Sequence, residues 1–594
     1  MHRNILFVTI IVLVMASALP LMSTVHAAET TFTVGWAAAP MDTLNPTAHT
    51  LYDAGAYVIA HPVYDTLVSS DLSGKPIPDL AYSWTYKDLT TIDFSLVKNA
   101  TWHDGQPFTA DDVVFSINLY LAHKEFPLMR NYVQTIKSVT AIDQYTVEIQ
   151  TTRPDATFMD YRLYGVYIIP KHIWESVGNY TTFANSNPIG TGPFKFVRWG
   201  GPNTFVEYTA NPDYFYGKPS IDRLVFRYFT SYSAMALALQ SGEIDYAGPL
   251  FTHALVPTLT STIGVQVVTR PDPRYYYFAF NGYPQGSGNP TLRDKTVRIA
   301  LSHAINNVEL AQVVWGGFAL PQNTTVPVSL GDWVNPNTPK YNFDLQEAAQ
   351  MLDAAGYRVG KDGIRVSPNG IRMSYKIEVP SNYAEEYRAA QLISSWWKQI
   401  GVEANAQITE VGALADEVVS WKHDTFIWVW SATSLDPDIF LDVFVGTEAQ
   451  PAPNPGLSDS GYNNAQYDAL YLQQIQETDP AKRRDIVWQM QDILHQDAVY
   501  VPLYDPLAVQ AFRSDRFTGI PLGTMPPLNN FATNNLLLSI KPITVLSTAT
   551  TATTTAAPTG IGTETIALIA VVVIAIIVVA IVATRRRSAP GKNA

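Results

Sequence analysis

The chain has 594 residues, room for about three or four domains of ordinary size or for two large lobes. Its 39 Lys and Arg against 52 Asp and Glu give a formal charge of −13 with no basic patch, which argues against a nucleic-acid partner and for a soluble, self-repelling surface. Cysteine is absent, which excludes disulfides, thiolate metal sites, a cysteine nucleophile and a lipid-modified N-terminal cysteine.

Residues 1–27 have the layout of an export signal. Arg3 precedes an apolar run from Ile5 to Met15, and small residues lead to a cleavage point after Ala27. Phe32 to Ala37 is then the expected first strand, and Asp42 to Asp53 combines turn formers with Tyr52 and Asp53, two candidate cleft residues. From Phe94 to Ser116 the pattern is strand, His-Asp-Gly turn and helix. Thr109 and Asp112 have the spacing of a capping box, and Val113, Ile117 and Leu121 share a face. His103 and Asp104, adjacent on that turn, read as turn chemistry rather than a catalytic pair.

Further helices are expected over Ser233–Gln240, between Asp344 and Gly356, over Tyr383–Ile400 and after Asp479-Pro480. The third is followed by the alternating strand Val402 to Ile408, so helix, glycine and strand recur as in α/β layers. Phe426 to Leu441 is the stretch with the most ligand-binding character. Phe426–Trp430 is a strand-forming run that opens into Ser431, Thr433, Ser434 and the turn pair Asp436-Pro437. Trp428 and Trp430 share a face by the two-residue period, and flat apolar surface beside a few placed polar atoms suits a small-ligand pocket.

Residues 540–565 form the expected stalk, dominated from Thr544 by Thr and Ala and open to O-glycosylation. Ile566 to Ala583 is an apolar run just long enough to span a bilayer, and residues 584–594 begin a basic tail with Arg585-Arg586-Arg587. Positive charge stays on the cytoplasmic side, which puts the body outside the cell, as the export signal also requires. Asn99-Ala-Thr101, Asn179-Tyr-Thr181 and Asn323-Thr-Thr325 are N-glycosylation sequons.

The run Trp102-His-Asp-Gly-Gln-Pro-Phe-Thr-Ala-Asp-Asp-Val-Val-Phe-Ser116 resembles the signature of the family 5 extracellular solute-binding proteins, the dipeptide and oligopeptide receptors of ATP-binding-cassette importers. The likeness continues in Val63–Val68, Pro78–Trp84, Gly190–Phe194, Asn211–Phe215, Leu239–Asp245, Thr291–Ala300 and Trp397–Val402. It implies a two-lobed α/β fold of the periplasmic-binding-protein kind, type II in its large family 5 variant, with a hinge and an interlobe cleft. The first lobe would comprise residues 28–279 with a return segment 504–539, and the second residues 280–503. Crossings near Tyr275–Asn281 and Tyr500–Pro506 would be the hinges, with Asn281 a polar cleft residue.

Two departures from the family pattern bear on the ligand. The acidic residue that in dipeptide-binding relatives holds the peptide ammonium, three positions after the tryptophan equivalent to Trp430, is Thr433 here. The arginine that holds the ligand carboxylate falls at Pro380. Burying a charged peptide terminus without a partner costs several kcal/mol, so dipeptide capture through those anchors is disfavoured. Three alternatives follow: Asp436 or Asp438 substitutes, a longer peptide is held by its backbone, or the ligand is a neutral oligosaccharide stacked on Trp396, Trp397, Trp421, Trp428 or Trp430. The expected partners are the solute, a permease with its ATPase, and the membrane; the receptor itself is expected to be a monomer. No cofactor or metal pattern stands out, and neither His-Glu-x-x-His nor Gly-x-Ser-x-Gly occurs, which argues against a hydrolase.

Overall fold

The computed structural model describes residues 29–37, 43–47, 60–123, 126–202, 204–250, 253–284, 286–381, 383–432, 434–446, 458–522 and 537–543. The expected signal peptide, the stalk from Thr544, the apolar run 566–583 and the basic tail lie outside these residues. Among the described residues no helix is long and apolar enough to cross a membrane. Residues 540–543, expected at the start of the stalk, belong to the folded body instead: Ile540 is fully buried and Lys541–Pro542 pairs with Phe517–Thr518.

Strands Arg274–Phe280 and Thr425–Ser431 pair antiparallel along their whole length, from Arg274 opposite Ser431 to Phe280 opposite Thr425. Tyr276, Phe278 and Ile427 pack on one side with Ala389, Ile393 and Trp397 of helix Ala384–Gln399. Tyr275, Tyr277 and Phe426 pack on the other with Ile486, Val487 and Met490 of helix Pro480–Asp497. A strand covered on both faces requires apolar side chains at successive positions, which accounts for the unbroken run Phe426–Trp430.

Among the described residues these two strands belong to a twelve-stranded sheet. Its order from one edge is Glu403–Thr409, Ser374–Pro380, Thr425–Ser431, Arg274–Phe280, Tyr500–Arg513, Tyr246–Leu250, Thr31–Trp36, Arg223–Tyr228, Phe205–Ala210, Phe194–Trp199. The long strand Tyr500–Arg513 joins two lobes. Its first half pairs with Arg274–Phe280 and Ala319–Pro321, and its second half with Val265–Pro271 and Tyr246–Leu250. The first crossing therefore falls at Pro271-Asp272-Pro273, several residues before the stretch expected from the sequence. Tyr275–Phe280 lies in the second lobe because its ladder with Thr425–Ser431 is continuous. Prolines at both switches, Pro271 and Pro273 on one crossing and Pro506 on the other, withhold the backbone donor that would carry a ladder on.

The first lobe's core gathers Phe32, Val34, Leu224 and Phe226 together with Phe512, Phe517, Leu537 and Ile540 from the returning chain. A four-stranded sheet, ordered Ala81–Tyr86, Thr91–Leu96, Thr146–Thr151, Ile136–Asp143, packs into the same core. Local signals place most helix starts. Asp112 reaches back to the Thr109 amide at 3.0 Å to open Ala110–Ala122, Asp344 accepts from Gln346 and Glu347 to open Leu345–Ala354, and Asp479 accepts from Ala481 and Lys482 to open Pro480–Asp497.

Candidate functional site

Strand Thr425–Ser431 emerges from the core at its C-terminal end. Phe426 and Ile427 are buried, Trp428 and Trp430 are half-buried, and Ser431 is exposed. Trp430 lies opposite Tyr275 on the neighbouring strand, and Ser431 opposite Arg274, the first strand residue after the crossing. The indole nitrogen of Trp430 and the hydroxyl of Tyr275 are buried with no hydrogen-bond partner among the described residues. Buried polar atoms of this kind ordinarily find a partner, so this strand end offers donors for a ligand beside an aromatic wall. Arg274 is held by Asp272, Nε to Oδ1 at 2.5 Å. Burial opposes the Arg274 charge, but the Asp272 carboxylate outweighs it and keeps the guanidinium pKa above its ordinary value.

The two lobes touch where residues 155–162 of the first meet residues 436–483 of the second. The Ala156 amide donates to the Ile475 carbonyl at 2.8 Å. On the first-lobe side, Asp155 binds Arg162 at 2.8 Å and accepts from the Thr157 amide and hydroxyl. On the second, Arg483 grips Asp436 through two nitrogens at 2.5 and 2.8 Å, donates to Gln474 at 2.9 Å, and lies 5.0 Å from the Trp333 ring centroid. Gln474 passes the chain on to Asp438 at 2.9 Å. Burial works against the charge on Arg483, yet Asp436 and then Asp438 hold its pKa well above normal. Asp160, which faces this pair from the first lobe, is pushed up to about 7 by burial and by Asp436, with Arg483 opposing.

Two expected cleft groups are committed elsewhere. Asn281 is 3% exposed, and its amide nitrogen donates to the carbonyls of Trp421 and His423 at 2.8 and 2.7 Å while its oxygen accepts from the Tyr283 amide. It ties a turn together inside the second lobe, sharing the Trp421 carbonyl with the Ser287 amide and supplying a donor to the His423 carbonyl. Asp436 is not available as an ammonium anchor, since both carboxylate oxygens are engaged by Arg483 and Oδ1 also accepts from the Asp438 amide. Trp396, Trp397 and Trp421 are buried at 6%, 0% and 3% exposure, so of the candidate stacking faces only Trp428 and Trp430 retain accessible surface. Tyr52, Asp53 and Thr433 lie outside the described residues.

Sequence reasoning missed the Asp155–Arg162 and Asp436–Arg483 pairs and Asp160. The members of the two pairs lie seven and forty-seven positions apart, one pair on each lobe, and no spacing rule links them. The stretches that carry the family resemblance, by contrast, hold the first lobe's frame. Gly192 and Phe194 donate to the carbonyls of Val63 and Pro62, and Thr191 donates to Asp65 at 2.7 Å. A Cβ on Gly190 would sit 1.8 Å from the Val63 oxygen, which is why glycine is required there. His103 binds the Gly192 carbonyl at 2.9 Å and Asp104 binds His172 at 2.8 Å, so the two turn residues serve separate partners.

Two α/β lobes joined by strand crossings, with an aromatic strand end beside the joint, define a hinged binding protein. The chain belongs to the bacterial extracellular solute-binding proteins, family 5, whose middle-region model matches residues 75–451. It is similar to the oligopeptide-binding protein AppA of Bacillus subtilis, 27% identical over 424 residues, 70% of this chain and 75% of the relative. Heme-binding protein A of Haemophilus influenzae is also 27% identical, over 74% of this chain and 81% of its own length. The structure of Bacillus subtilis AppA in complex with a nonapeptide superposes with a TM-score of 0.69 at 24% identity, covering 86% of this chain and 99% of that one.

Proposed function

We propose that the chain is the solute receptor of an ATP-binding-cassette importer, exported, held at the outer face of the membrane by residues 566–583, and specialised for peptides longer than dipeptides. The observation that carries this reading is the strand end at Trp430. An aromatic wall with two unsatisfied buried polar atoms, Trp430 Nε1 and Tyr275 Oη, adjoins an exposed strand terminus whose backbone can continue a ladder onto an extended ligand. The expected ionic anchors for a dipeptide are absent by sequence comparison, and Asp436 is consumed by Arg483, so the remaining means of grip are backbone and ring surface. A relative named for oligopeptide binding supports the ligand class; one named for heme marks how far the same fold ranges.

A neutral oligosaccharide is the second reading, favoured by the half-exposed faces of Trp428 and Trp430. Mass spectrometry of solutes that co-purify with the protein, followed by thermal shift with peptides of two to nine residues, oligosaccharides and hemin, separates the readings. Stabilisation by peptides of four or more residues, recovered at unchanged mass, is the expected result. Hydrolysed peptide would mean an enzyme, and stabilisation by sugars or hemin alone would overturn the peptide reading.

A further inference from the structure

The three sequons differ sharply in what the fold leaves accessible, and we infer that Asn179 is the N-glycan acceptor of this chain while Asn323 stays bare. The inference rests on the proposed export of the body, since the glycan donor is met outside the cytoplasm.

Asn179 follows the short helix Lys171–Trp174 and is exposed, as is Thr181. Its Oδ1 accepts from the Thr181 amide at 3.1 Å, the Thr181 hydroxyl at 2.8 Å and the Thr182 amide at 3.3 Å. Three donors on the carbonyl oxygen fix the orientation of the carboxamide and leave its nitrogen, which has no hydrogen-bond partner among the described residues, free on an exposed residue. Transfer from a lipid-phosphate-linked glycan forms the Nδ2–C1 bond, breaks the C1–O bond to phosphate, releases the lipid phosphate and gives one amide proton to base.

The middle residue of the sequon fixes this acceptor in place. Tyr180 stacks on Trp174 at 6.3 Å and meets His123 edge-on at 4.9 Å, while its carbonyl accepts from the buried Asn45 amide at 2.7 Å. The glycan therefore leaves from a pinned point on the first lobe. Asn99 is exposed too, but its amide nitrogen is turned to the Phe215 carbonyl at 3.4 Å. Asn323 is half-buried between Gln322 and Thr324, and Thr325, whose hydroxyl the sequon needs at the surface, is 4% exposed.

The test is peptide mapping by mass spectrometry of the full chain isolated from the cells that make it, alongside external protease treatment of intact cells. The expected result is a glycan mass on the Asn179 peptide and none on the Asn323 peptide. Asn179→Gln should then lose the corresponding electrophoretic shift, with its melting temperature retained as proof of folding. A bare Asn179 in chain that external protease removes overturns the acceptor assignment but leaves export standing. A bare Asn179 in chain that the protease cannot reach overturns both. Glycan on Asn323 with Asn179 bare also overturns it.

Discussion

Replacing Arg483 by Met tests whether the buried pair at the lobe contact stabilises the second lobe. The Arg483 and Asp436 side chains are 4% and 3% exposed, so neither charge can fall back on water. Removing the guanidinium strips two short contacts from Asp436 and the donor from Gln474, and it leaves Asp438 and Asp160 as like-charged neighbours. Breaking a buried pair from one side costs about 4 kcal/mol, whereas replacing both members by apolar groups of similar size is close to neutral. Urea denaturation of Arg483→Met, Asp436→Leu and the double variant should therefore show two large single losses and a double variant within about 1 kcal/mol of the parent. A single-variant loss below about 1 kcal/mol, or additive losses in the double, would refute the argument.

Three further outcomes follow from particular side chains. Trp430→Ala should abolish ligand-induced stabilisation while leaving the unliganded melting temperature within a few degrees; undiminished affinity in calorimetry would remove Trp430 from the wall. Asn281→Ala should instead cost about 2 kcal/mol of stability, because the His423 carbonyl loses its donor while the Trp421 carbonyl keeps the Ser287 amide, with ligand affinity unchanged once the protein is folded. Glu386, 1% exposed, is pushed up to about 8 by burial and secondarily by Glu385. Its folded form keeps a proton that the unfolded chain releases near pH 4.5, so stability is full below that pH and declines as pH rises to about 8. Glu386→Gln should flatten this decline, which is on the order of 3 kcal/mol, in thermal melts at pH 5 and pH 8; an unchanged slope would mean that Glu386 is ionised in the fold.

Much of the local architecture was legible in the residues. Asp344, Asp479 and the Thr109–Asp112 box open their helices as their spacing implied, because capping is decided within one helical turn. The apolar run Phe426–Trp430 announced a strand because every position on it had to be compatible with burial. What misled was the assignment of roles. Asn281 and Asp436 have the chemistry of ligand contacts, but their hydrogen bonds go to Trp421, His423 and Arg483, more than forty residues away in each case. The first crossing was placed several residues late because Tyr275–Phe280 looks the same as a strand of either lobe; only its ladder partner assigns it.

The sequence by itself determined the family, the helix starts, the buried strands and the order of elements, all of which depend on neighbours in the chain or on motif patterns. The tertiary structure alone decided which polar side chains remain free for a ligand and where the chain passes between lobes. A side chain's availability is set by whichever group the fold brings beside it, and at Asp436 that group is a guanidinium from another helix.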